Sequence, residues 1–134
     1  MNHQVDDERL GRRPRMRALR GAITVPANDA QAILECTSEL MREVMERNNL
    51  APADMISCIF TATEDLDAEF PAVAARRLGL QHVPLLCARE MPVPGSLARV
   101  IRVLIHYYAP AGAEPHHVYL REARVLREDL QAAQ

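Results

Sequence analysis

The chain has 134 residues, 49% of them hydrophobic, which suits one globular domain with a core of its own. All 16 basic residues are arginine, and with 18 acids they leave a net charge of −2, which argues against a nucleic-acid partner. No segment approaches the roughly 20 apolar residues of a membrane span, so no membrane association is expected. Three separated cysteines without CxxC spacing are typical of reduced thiols, which favours the cytoplasm.

The N-terminal half predicts a strand, a long helix and a second strand. Residues 1–15 are polar and charged and predict a flexible extension. Order should begin at Met16, with a strand ending near Gly21. Asn28 and Gln31 resemble a capping box, and apolar residues recur at helical spacing over residues 30–49, so a helix is predicted there. A short apolar run over residues 55–63 predicts a buried strand.

The C-terminal half predicts a short helix and further strands. Pro71 is suited to begin a helix that Gly79 ends. A Pro/Gly turn at residues 92–95 separates two strand-like runs, although Ser96 could instead cap a helix over the second. A last strand is expected near residues 116–120. The predicted order is β-α-β-α-β-β followed by this last strand. It predicts an α+β fold with a mixed sheet packed on helices. The single domain would span residues 16–130, with residues 131–134 as a tail.

Few residue patterns support covalent, metal or nucleotide chemistry. Cys87 lies close to Arg89 and Glu90, but no histidine and aspartate stand at a recognisable spacing from it, so a catalytic thiolate is the weaker interpretation. His116 and His117 are adjacent and would point to opposite faces of a strand, and no metal site is predicted. The sequence has no glycine-rich nucleotide-binding motif.

Arginines are the remaining candidates for a ligand site, and four lie at informative places: Arg20, Arg76, Arg102 and Arg127. Each alone is compatible with a solvated surface role, but Arg102 interrupts an apolar strand and would share a face with Val100 and Leu104. Burying an unpaired charge is costly, so Arg102 and Glu90 should either pair or serve a ligand. Several arginines together suit a small carboxylate ligand, because guanidinium groups bind carboxylates in forked pairs.

Five runs resemble the monofunctional, trimeric AroH-class chorismate mutases over about residues 16–130: RGAITV, TATEDLDAEFPAVAARRLGL, VPLLCAREMPVPGSL, IRV and HVYLREARVLR. The resemblance implies a homotrimer that forms a pseudo-α/β barrel with active sites between subunits. It also implies conversion of chorismate to prephenate, in phenylalanine and tyrosine biosynthesis. This Claisen rearrangement is pericyclic and unimolecular, so the resemblance implies no nucleophile, metal or organic cofactor.

The resemblance also assigns roles to single residues. Catalytic roles fall on Arg102 against the ether oxygen, on Glu90 and Cys87 near the ring, and on Arg20. The matching substrate-binding positions are Arg20, Phe70, Val73, Arg76, Cys87, Glu90, Arg102, Tyr119, Leu126 and Arg127.

Several of these positions carry further implications. Tyr119 would bond a carboxylate, residues 70–76 would form a wall supplied by the neighbouring subunit, and Leu126 and Arg127 match a mobile C-terminal closure. The family commonly has a lysine where this chain has Val73. The alternative interpretation is therefore a non-enzymatic trimer that binds a small carboxylate or acts as a regulatory protein.

Overall fold

A computed structural model of the protein describes residues 13–127, in which a five-stranded sheet packs against helices. The elements are β1 Arg15–Thr24, α1 Ala30–Arg47, β2 Met55–Ala62, α2 Pro71–Arg77, β3 Leu85–Arg89, β4 Val100–Ala109 and β5 Val118–Leu120. Short 3-10 turns precede β2 and follow β5. Within residues 13–127, no helix is long and apolar enough to cross a membrane.

The sheet is mixed and has the strand order β3-β2-β4-β1-β5. The central strand β4 is antiparallel to both β1 and β2, whereas β3 pairs parallel to β2 and β5 pairs parallel to β1. The predicted element order and the mixed α+β architecture are confirmed. The helical alternative for residues after Ser96 is wrong, because those residues form the ladder that joins β1 to β2.

Alternation along β4 separates a core face from an open face. Ile101, Val103, Ile105 and Tyr107 are buried, and they pack in one core with side chains of α1 and α2. A strand turns successive side chains to opposite faces, so Arg102 lies on the face away from both helices. The charge that interrupts the apolar run therefore does not enter the core.

Gly21 lies where β1 packs closely against side chains of β4 and α1. A Cβ atom there would lie 3.1 Å from Val103 Cγ1 and 3.2 Å from Leu40 Cδ1, which explains the glycine. The predicted end of the first strand near this residue is wrong, since pairing with β4 continues to Thr24. The strand also begins at Arg15, one residue before the predicted start of order. Residues 1–12 of the predicted extension and the predicted tail 131–134 lie outside the described residues.

The cap of α1 differs from the predicted capping box. Asp29 is extended, with φ −136°, and its Oδ1 accepts a 2.8 Å hydrogen bond from the Ala32 amide. The Asn28 Oδ1 instead accepts the amides of Asp67 and Ala68, which anchors the loop between β2 and α2. The aspartate satisfies a helix-end donor, and the asparagine is used in a tertiary contact.

Replacing Asp29 with alanine should lower the free energy of unfolding by about 1 kcal/mol, because an N-terminal amide loses its acceptor. Chemical denaturation followed by circular dichroism measures this. Gln31→Ala is the matched control, since it removes only the surface bond from Gln31 Nε2 to Glu35 Oε1, worth less than about 0.5 kcal/mol. Equal losses in the two variants would contradict the assignment of Asp29 as the cap.

Candidate active site

A cavity of about 450 Å³ lies on the open face of the sheet. Four neighbouring strands contribute its floor, and one residue after β3 and one after β5 complete its edges. The lining residues are Arg20, Gly21, Ala22, Ile59, Thr61, Glu90, Arg102, Val103, Leu104, Tyr119 and Leu126. The cavity thus combines an apolar floor with two guanidinium groups, a carboxylate and a phenol.

Strand register explains why these side chains meet. Arg102 on β4 lies between Thr61 on β2 and Ala22 on β1. Two residues further along the same face, Leu104 lies opposite Arg20 on β1. The two arginines are therefore diagonal neighbours on adjacent strands, and the small side chain of Ala22 leaves room beside Arg102. Both positively charged groups face one apolar surface.

Arg102 and Glu90 form an ion pair. The Arg102 Nε atom donates to Glu90 Oε1 at 2.7 Å, and 46% and 21% of the two side chains are exposed. The backbone amide of Glu90 donates to the Ala62 carbonyl at 2.9 Å, which holds Glu90 at the end of β2. A guanidinium has five N–H donors, so this bond to Glu90 occupies only one. The pair orients the guanidinium without using up its capacity to bind an anion.

Tyr119 and Leu126, which the resemblance predicts to bind substrate, also line the cavity. Tyr119 comes from the short edge strand β5, and Leu126 comes from the helical residues that follow it. Leu126 and Tyr119 pack against a small cluster formed by Ala22, Val100 and Ala123. This cluster joins the C-terminal segment to the open face of the sheet.

Cys87 does not line the cavity. It pairs with Phe60 across β2 and β3 and packs against the main core while remaining half-buried. Burial raises the pKa of the neighbouring Cys58 thiol to about 12, with a smaller contribution from Cys87. Cys58 is therefore a neutral thiol in ordinary buffers. The predicted contact of Cys87 with a substrate ring stays a prediction.

The residues predicted to form a neighbouring subunit's wall lie away from the cavity of their own chain. Arg76 is exposed on α2 and Val73 is half-buried there, while Phe70 immediately precedes the helix and is 65% exposed. The helix packs on α1 and β3. Arg127 is exposed and follows Leu126, and its charge is among those that lower the pKa of His117.

Six lining residues were not predicted as site residues: Gly21, Ala22, Ile59, Thr61, Val103 and Leu104. Leu104 had a signal in the sequence, because it shares a strand face with Arg102. The others depend on which strands are neighbours, and a single strand's alternation does not contain that information. Within residues 13–127, no three His, Cys, Asp or Glu side chains converge in a way that could hold a metal ion.

Comparison with known proteins decides the family. The family described as chorismate mutase type I matches residues 16–130. The chain belongs to this family. It is 50% identical to chorismate mutase AroH of Thermus thermophilus over 121 aligned residues, and the alignment covers 89% of this chain and 99% of the relative. It is 40% identical to chorismate mutase AroH of Bacillus subtilis (strain 168) over 117 aligned residues, and this alignment covers 86% of this chain and 92% of the relative.

A solved structure supports the same fold. The chorismate mutase from Clostridium thermocellum superposes with a TM-score of 0.76 and 45% sequence identity. The superposition covers 81% of this chain and 98% of that chain. The family and the α+β fold suggested by the sequence resemblance are therefore confirmed for this chorismate mutase type I chain.

Proposed function

We propose that this protein is a chorismate mutase, which converts chorismate to prephenate in phenylalanine and tyrosine biosynthesis. Its place in the chorismate mutase type I family supports the reaction. The structural observation that carries the proposal is the convergence of Arg20, Arg102, Glu90 and Tyr119 on one apolar cavity. Chorismate carries two carboxylates and a hydroxyl group on a hydrocarbon ring frame, and guanidinium groups on an apolar floor complement the carboxylates and the ring carbons.

The rearrangement requires positioning and charge stabilisation. One C–O bond breaks while one C–C bond forms within the same molecule, and no proton or group leaves it. The protein must hold a flexible substrate in its compact conformer and stabilise negative charge on the departing ether oxygen. In the proposed mechanism Arg20 and Tyr119 bind carboxylate, Arg102 faces the ether oxygen, and Glu90 lies near the ring. The resemblance also assigns Cys87 to the ring, although its side chain does not line the cavity of its own chain.

The ion pair between Arg102 and Glu90 supports this division of roles. A guanidinium already held by a carboxylate needs little reorientation when charge develops in front of it, and preorganised donors of this kind stabilise transition states efficiently. Glu90 would then have two functions, since it fixes Arg102 and also faces the positive charge that develops on the ring. The proposal requires no cofactor.

We also propose that the active protein is a homotrimer arranged as a pseudo-α/β barrel and acts in the cytoplasm. Both α1 and α2 pack on the core face of the sheet, so the face with the cavity is available to a second chain. Phe70 and Leu86 are 65% and 60% exposed, and apolar surface of this kind is often buried between subunits. Reduced thiols at Cys36, Cys58 and Cys87 are compatible with the cytoplasm.

A complementation experiment tests the intersubunit site. Arg102→Ala and Arg76→Ala should each reduce activity, but co-expression of the two variants should restore part of it. In random trimers about one quarter of the interfaces combine an intact Arg102 with an intact Arg76 of the neighbouring chain. If the site were built within one chain, co-expression would restore no activity. A monomeric mass for the wild-type protein in light scattering would also contradict the proposal.

Val73 is the one feature that favours a non-enzymatic carboxylate-binding or regulatory protein, because it replaces the lysine that the family commonly has there. Incubating the purified protein with chorismate and measuring both chorismate loss and prephenate formation separates the two functions. A mutase converts the substrate in repeated turnovers, whereas a binding protein leaves it unchanged. Conversion at only the uncatalysed rate would contradict the proposed activity.

A further inference from the structure

His117 makes a contact with the backbone of Arg20 that the predicted roles do not use. The Arg20 amide donates a 3.0 Å hydrogen bond to Nδ1 of the His117 ring. Arg20 lines the cavity from β1, and Tyr119, two residues after His117, lines it from β5. The contact therefore joins the two strands that supply one side of the cavity.

The ring takes the place of a missing strand partner. Pairing between β1 and β5 begins at Gly21 and Val118, one residue after Arg20 and His117 on each strand. The Nδ1 atom thus extends the ladder by one acceptor at the point where the edge strand begins. His116, the preceding residue, is bound through its backbone to Asn48 at the C-terminal end of α1. The Asn48 side chain accepts a hydrogen bond from the His116 amide at 2.8 Å and donates one to its carbonyl at 3.0 Å.

The contact requires a neutral ring. A nitrogen that accepts a hydrogen bond carries no proton, so Nδ1 is unprotonated and the proton of the neutral ring is on Nε2. Partial burial is the largest cause that lowers the pKa of His117, followed by the positive charges of Arg20, Arg127 and His116. These groups on β1, on the C-terminal segment and on the preceding residue all favour the neutral form. Protonation would replace the acceptor with a donor facing another donor.

We propose that neutral His117 is a positioning residue that holds Arg20 and β5 in the geometry that binds the substrate carboxylate. This inference rests on the proposed function, because it assigns Arg20 to substrate binding. Substrate affinity should accordingly be present when His117 is neutral and should fall as the pH decreases through its lowered pKa. In the pH profile of kcat/KM, the decrease on the acid side (the acid limb) should therefore have its midpoint below the ordinary histidine pKa of about 6.5.

Two substitutions distinguish positioning from packing. His117→Leu removes the acceptor and should raise KM about 3- to 10-fold with little change in kcat, as expected for loss of one hydrogen bond. His117→Asn places Oδ1 where Nδ1 lies and should restore most of the affinity, but without the acid limb. His116→Asn is the matched control, since His116 contacts Asn48 through its backbone, and it should retain the acid limb.

The amide of Arg20 gives a readout that does not depend on turnover. In ¹⁵N–¹H spectra its resonance should titrate with His117 in the wild-type protein and should not titrate in His117→Asn. An unchanged KM in His117→Leu, or an acid limb that persists in His117→Asn, would overturn the proposal. A wild-type protein that leaves chorismate unchanged while the amide titrates would contradict the proposed activity but not the contact.

Discussion

Replacing Arg102 with alanine should lower kcat for chorismate conversion by about two to three orders of magnitude or more, as for loss of one preorganised transition-state donor. The charge that Arg102 faces develops mainly in the transition state, so kcat should fall more than KM rises. Steady-state kinetics over a range of chorismate concentrations measures both constants.

Arg42→Ala is the control for this variant, because Arg42 is exposed on α1, the helix on the opposite face of the sheet. It should change kcat little. Arg102→Lys should retain only part of the rate, since an ammonium lacks the planar fork that both pairs with Glu90 and faces a second acceptor. Normal turnover by Arg102→Ala would exclude the role assigned to this residue.

Replacing Phe60 with alanine should lower the free energy of unfolding by about 3–5 kcal/mol, the usual cost of removing a fully buried aromatic ring. Phe60 is 0% exposed and is the largest of the fully buried side chains, on the core face of β2. Denaturant titrations should be compared at one protein concentration, because assembly would add to the stability.

Val125→Ala provides the comparison, since Val125 is 49% exposed. Its effect should stay within about 0.5 kcal/mol. A loss of less than about 1 kcal/mol in Phe60→Ala would mean that the core collapses around the missing ring, contrary to the predicted cost of leaving a cavity there.

The sequence allowed the main elements and the special position of Arg102 to be predicted. Period-two alternation places Arg102 and Leu104 on one strand face, and the long helix follows from its apolar spacing. The contact between Arg102 and Glu90 could be proposed only as one of two alternatives. Its geometry depends on β2 lying between β3 and β4, which no local pattern contains.

Competition between neighbouring residues explains the remaining differences. Asn28 and Asp29 are both residue types that favour helix N-caps. The loop after β2 binds the Asn28 side chain through the Asp67 amide, which leaves Asp29 to cap α1. His117 had no signal in the sequence, because its role arises where a three-residue strand begins beside β1. The assignments to Phe70, Val73 and Arg76 came from the family resemblance and concern a second chain.

The central claim is that Arg102 stabilises the transition state, and analogue binding tests it most directly. A rigid bicyclic ether carrying the two carboxylates in the compact arrangement mimics that state. The wild-type protein should bind it about 100-fold or more tightly than chorismate, as measured by competitive inhibition, and Arg102→Ala should lose most of that preference. Equal affinities in the wild type, or a preference that survives in Arg102→Ala, would contradict the account.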